Sequence, residues 1–153
     1  MNRNERTFEK IKNLLIEKLG KNIEYSQDED GTEYLNIKNS NLWISNTFRE
    51  LVVGFGFNHT HFSEEYENLN EGIIQVFDLL TNRIKSTDYI KGKTIFKTTV
   101  EIEFPHSELK NIGESSVLFY PYWKKTKIES EYFEKLIEKS EIEKEANIIL
   151  NDE

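Results

Sequence analysis

At 153 residues with 37% hydrophobic and 12% aromatic content, the chain can bury a core without staples, while 31% charged residues leave a polar exterior. The absence of cysteine excludes a disulfide framework, a thiolate metal site and a cysteine nucleophile. A net charge of -8 argues against nucleic acid as a partner, because the one basic cluster, Lys124-Lys125-Thr126-Lys127, is too short to outweigh it.

No run approaches the roughly 18 apolar residues of a membrane span. Met1-Asn2-Arg3-Asn4-Glu5-Arg6 leads into a charged helical pattern rather than the apolar core of a signal peptide. The composition therefore predicts a cytoplasmic protein with no membrane partner, no nucleic-acid partner and no cofactor. An acidic surface attracts basic partners.

In chain order, Phe8, Ile11, Leu15 and Leu19 fall on one stripe and predict a helix over residues 7–19, capped by Thr7 and ended by Gly20. Short strands over 22–26 and 32–38 flank Asp30-Gly31, whose chemistry suits a hairpin turn. Asn39-Ser40-Asn41 marks a further turn before Leu42-Trp43-Ile44. Residues 50–62 read as one strand, with Leu51, Val53, Phe55, Phe57, His59 and His61 on one face.

Asn68-Leu69-Asn70-Glu71 has capping-box spacing and opens a second helix, with Leu69, Ile73, Val76, Phe77, Leu80 and Ile84 on its apolar face. Tyr89-Ile90 and residues 94–104 are extended runs around a turn at Lys91-Gly92-Lys93, and Pro105 stops the second. Phe96, Thr98, Val100, Ile102 and Phe104 form one face of it, and Lys97, Thr99, Glu101 and Glu103 form a wet face. A polar loop leads to a strand over 117–121, confined by Pro121 to an edge or an end. Thr126-Lys127-Ile128-Glu129 again has capping-box spacing and predicts a helical tail from about 127, packed loosely towards its end.

The order α-β-β-β-β-α-β-β-β-α argues for an α+β fold with a mainly antiparallel sheet covered by helices, in a single domain over residues 1–153. The expected core joins Phe55, Phe57, Ile73, Val76, Phe77, Leu80, Val100 and Ile102.

Several residue groups could carry chemistry. His59 and His61 point the same way from a strand, and Glu65 follows closely enough to add an oxygen, a donor set suited to zinc, iron or manganese. The spacing His59-x-His61-x-x-x-Glu65-x6-Gly72 resembles the first metal-binding motif of the cupins. That resemblance implies His59, His61 and Glu65 as ligands, joined by a histidine from a second motif. The remaining histidine, His106, follows Pro105 without the glycine and asparagine of such a motif.

Gly54 and Gly56 alternate inside a strand rather than opening a helix, so they predict close packing, by Trp43 or by the 69–84 helix, rather than a phosphate loop. Asp28-Glu29-Asp30 lacks the closing glutamate of a calcium loop. Ser115-Ser116 has no strand-turn-helix serine elbow around it. Phe119-Tyr120-Pro121-Tyr122-Trp123 beside Lys124 and Lys125 either caps a core or forms a recognition surface.

None of these is a persuasive active site, and the expected function is protein binding. In size, acidity and helix-flanked sheet architecture the chain resembles the bacterial immunity proteins of polymorphic-toxin systems. The resemblance implies direct binding and neutralisation of a cognate toxin, with a basic toxin domain as the partner. The segment that combines carboxylates with aromatics, His61, Phe62, Glu64, Glu65, Tyr66 and Glu67, is the expected contact surface.

Overall fold

Helix α1 (Arg3–Leu19) begins one turn earlier than its apolar stripe predicts, in the computed structural model, which describes residues 1–152. Asn2 is the cap rather than Thr7. Its side chain accepts from the Glu5 N–H at 2.9 Å and the Glu5 carboxylate accepts from the Asn2 N–H at 2.7 Å, a complete capping box. Gly20 ends the helix at φ +54, as expected, and Phe8, Ile11, Leu14 and Leu15 are buried.

Five strands follow: β1 (Ile23–Gln27), β2 (Glu33–Ile37), β3 (Leu42–Asn46), β4 (Leu51–Phe55) and β5 (Asn58–Phe62). They form one antiparallel sheet in chain order. The turns at Gly31 (φ +89) and Asn39 (φ +58) fall where the turn residues place them. The single strand expected over 50–62 is instead a hairpin. Gly56 takes φ +60, a left-handed conformation incompatible with continuing a strand, and Phe57 at the turn tip is 97% exposed rather than part of the core.

Helix α2 (Leu69–Thr81) stops before Ile84, which lies instead on the next strand, and its buried stripe includes Ile73, Val76, Phe77 and Leu80. Helix α3 (Lys139–Leu150) buries Ile142, Ala146 and Ile149. Leu35, Ile44, Val53 and Phe55 lie on the buried face of the sheet, which α1 and α2 pack against while α3 packs on those two helices, and β4 is buried along its whole length. Asp152, after α3, is tied to α1: Arg3 donates to its carbonyl at 2.8 Å, and Lys10 pairs with its carboxylate at 2.5 Å.

Four longer strands form a second antiparallel sheet: β6 (Arg83–Lys91), β7 (Thr94–Glu103), β8 (Leu109–Ser116) and β9 (Thr126–Phe133), in the order β8-β7-β6-β9. The β6–β7 turn at Gly92 (φ +64) is where it was expected. Two assignments change. Residues 109–116 form a strand and 117–125 do not, and the helix expected from 127 is strand β9, paired with β6 over eight residues. Lys127, Glu129 and Glu131 alternate with Ile128, Ser130 and Tyr132, a period of two that a long β6 partner turns into a ladder.

The fold is α+β with wholly antiparallel sheets, as the element pattern predicts, but there are two sheets. They belong to two compact units, Met1–Thr81 with Ile137–Glu153, and Asn82–Leu136. The expected core divides accordingly. Phe55, Ile73, Val76, Phe77 and Leu80 are buried in the first unit, and Val100 and Ile102 are buried residues of the second.

Candidate functional site

The hairpin turn changes which residues share a face with the histidines. Paired residues of antiparallel strands lie on the same side of a sheet. Trp43 pairs with Gly54 and Gly54 with His59, while Ser45 pairs with Val52 and Val52 with His61. His59 and His61 therefore lie on the exposed face with Trp43, opposite Leu51, Val53 and Phe55. A Cβ built on Gly54 would sit 2.1 Å from the Trp43 indole, so the glycine exists to let that ring lie flat across the strand. The indole N–H donates to the Gly56 carbonyl at 2.9 Å, which locks the ring over the turn. His59 lies against Trp43 with ring centroids 5.8 Å apart, and His61 lies edge-on to His59 at 5.2 Å.

Glu50, which no spacing argument singled out, organises the end of this row. One carboxylate oxygen accepts from His61 Nδ1 at 2.6 Å, and the other accepts from the Tyr66 hydroxyl at 2.6 Å. These bonds, the Tyr66 hydroxyl first and His61 second, hold the Glu50 carboxyl below its ordinary range. The same bond pushes the Tyr66 phenol up.

The segment after β5 is held by short polar side chains, Asn4 and Ser63 buried and Asn68 half-buried. Asn4, on α1, donates to the Arg49 carbonyl at 2.5 Å and accepts from the Glu64 N–H at 3.2 Å. The Ser63 hydroxyl donates to the same carbonyl at 2.9 Å and accepts from the Glu65 N–H at 3.1 Å. Asn68 accepts from the Ser63 N–H at 2.8 Å and donates to the His61 carbonyl at 3.3 Å, so the side chain expected to cap α2 closes the loop before it. Glu67 occupies the left-handed region at φ +56, held by its N–H bond to the Glu64 carbonyl at 3.0 Å. The result is a fixed platform beside an open cleft of about 410 Å³, lined by Asn2, Asn4, Phe48, Arg49, Ser63, Glu64 and Glu65.

Of the six expected contact residues, His61, Glu64, Glu65, Tyr66 and Glu67 are exposed. Phe62 is not: it is 4% exposed and packs on Gly72 of α2, where an added Cβ would meet its ring at 2.5 Å. The end of the β5 ladder turns it inward, and Phe48, 73% exposed in the β3–β4 loop, supplies an exposed aromatic that the sequence did not single out. Among the described residues, no group of three or more histidine, aspartate or glutamate side chains is arranged to hold a metal ion. His59 and His61 adjoin one another, but Nδ1 of His61 is engaged by Glu50 and Glu65 lies at the cleft.

In the second unit, the segment from Leu118 to Trp123 leaves Leu118, Phe119, Tyr122 and Trp123 exposed, while Tyr120 stacks on Phe96 at 4.6 Å. Lys91 ties this loop down by donating to the Tyr122 and Lys124 carbonyls, at 3.2 and 2.9 Å. Among the described residues, no helix is long and apolar enough to cross a membrane. No family model matches the chain, and neither a curated protein nor a solved structure matches it.

Proposed function

We propose that the chain is a cytoplasmic protein-binding module that neutralises a basic toxin domain by direct contact, in the manner of a bacterial immunity protein. The contact surface is the platform of Glu64, Glu65, Tyr66 and Glu67, flanked by His61, Glu50 and Phe48. The reading rests on preorganisation: three exposed carboxylates and the exposed Tyr66 sit on a loop held by the buried side chains of Asn4 and Ser63 and by Asn68, with exposed Phe48 on the β3–β4 loop beside the same cleft. A surface already ordered before binding loses little entropy on docking. Its charge is also concentrated, since the unit that carries it has ten lysines and arginines against twenty aspartates and glutamates, a net -10. Such a field raises the encounter rate with a basic partner, and aromatic anchors supply desolvated contact area.

The test is to identify the genes neighbouring this one and, for a basic toxin domain found there, to measure its association rate with this chain across ionic strengths. Reversing Glu64, Glu65 and Glu67 to lysine should slow association about tenfold or more at low salt and flatten its salt dependence. Thermal melting should be nearly unchanged, because all three side chains are exposed. Unaltered kinetics would remove this surface from the proposal.

A further inference from the structure

We propose that β9 is the subunit interface of a twofold homodimer, in which it pairs antiparallel with β9 of a second copy to join two four-stranded sheets into one. The inference is independent of the toxin-binding surface, which belongs to the other unit.

An edge strand presents unpaired backbone donors and acceptors, and proteins that must stay single blunt such edges with bulges, prolines, short strands or charged side chains. β9 carries only the last of these, and its charges are of both signs and complementary to themselves. The two edges of this sheet differ in that respect. At the β8 edge the register with β7 shifts between Val100 and Glu101, an irregularity that breaks the row. β9 pairs with β6 in unbroken register from Phe133 to Thr126 and contains neither proline nor glycine. All of its residues but Phe133 are exposed, including Ile128 at 60%.

The side chains of β9 are complementary to themselves. Centred on Ile128, antiparallel pairing sets Lys127 of each copy opposite Glu129 of the other and Ile128 opposite itself, with Thr126 opposite Ser130. Paired residues share a face, so the ion pairs fall on one side of the joined sheet and the isoleucines on the other. Lys127 and Glu129 already lie together on one face of the single strand, 2.5 Å apart, so the dimer extends an existing pair into a four-charge row. Nearby registers are worse. Centring on Glu129 opposes two like carboxylates, centring on Ser130 opposes Glu129 to Glu131, and a one-residue slip sets Ile128 against Glu129. Self-complementarity about a twofold axis identifies a second copy as the occupant, and it closes the assembly at two.

Sedimentation equilibrium of the whole chain over a range of concentrations tests this. The expected mass rises to twice 18.2 kDa. Lys127→Glu and Glu129→Lys should each weaken the dimer about tenfold, since each turns two attractive cross-strand pairs into like-charge pairs. The double variant K127E/E129K should restore it, because exchanging the two charges preserves the complementarity. Amide exchange in β9 should slow with concentration in the wild type, a readout independent of how well any variant folds. A chain of single mass with concentration-independent β9 exchange overturns the proposal. So does a dimer that neither single variant weakens, or one weakened instead by removing the Phe119 and Trp123 rings.

Discussion

The two units solve the problem of folding in different ways. The first lays α1 and α2 against one face of a five-stranded sheet and packs α3 on those two helices, and nearly all the large buried side chains of the protein belong to it. The second has no α-helix, only a short 3-10 turn at Pro105–Ser107, and its strands carry lysine and glutamate along their length, with ion pairs such as Arg83 with Glu103 at 3.2 Å. Their charge differs as sharply, with -10 on the first unit and +2 on the second, where ten basic residues face eight acidic ones. The net -8 of the whole chain is the sum of an acidic unit and a weakly basic one.

The largest expected effect tests where the core lies. Truncating Phe77 to alanine should cost about 3–5 kcal/mol in equilibrium denaturation, because the ring is buried among the α2 stripe. Trp43 reports the first unit and exposed Trp123 the second, so Trp123→Phe isolates the signal from the unit under test. A loss below about 1 kcal/mol would mean that the first unit does not depend on this helix face.

Gly54→Ala probes the outer face of the same sheet. The indole it would strike is bonded to Gly56, so the ring cannot retreat without losing that bond, and a destabilisation of about 1–3 kcal/mol is expected. Trp43 emission should shift as well. Unchanged emission and stability would show that the ring is free to move.

Asn4→Ala removes one fastener of the Glu64–Glu67 platform and should cost about 1–2 kcal/mol, leaving the Glu64 N–H without this partner. Amide exchange should rise locally over residues 63–67 and not in the second unit. A rise spread evenly through both units would contradict the account of this loop as locally held.

The smallest effect is one of pH. The Glu50 carboxyl is held below its ordinary value of 4.5 in the folded chain, so its contribution is present above that value and is lost as pH falls through the lowered folded value. Glu50→Gln should therefore be less stable than wild type at neutral pH, with the two converging in acid. Melting curves from pH 7 down to about 3 check the sign. Elemental analysis of dialysed protein should find no stoichiometric zinc, iron or manganese; one equivalent lost on changing His59 and His61 to alanine would revive the metal reading.

Much of this protein was written in local chemistry. Gly20, Gly31, Asn39 and Gly92 take positive φ where helix ends and turns were expected, because the cost of that conformation is a property of the residue itself. The stripe of Ile73, Val76, Phe77 and Leu80 marks a helix because its period is set by backbone geometry. Gly54 under Trp43 was legible as close packing for the same reason, since a glycine in a strand leaves room for a neighbour.

Tertiary structure decided the rest. Thr126 to Phe133 satisfies both a capping pattern and a period of two, and only the long ladder of β6 selects the strand. One left-handed glycine, Gly56, turns an extended run into a hairpin and so moves both histidines to the other face of the sheet. Glu50 acquires its role from His61 and Tyr66, which lie 11 and 16 residues away and meet it only after the hairpin closes. Periodicity and turn preference act within a few residues, whereas sheet pairing joins segments whose approach no local pattern records.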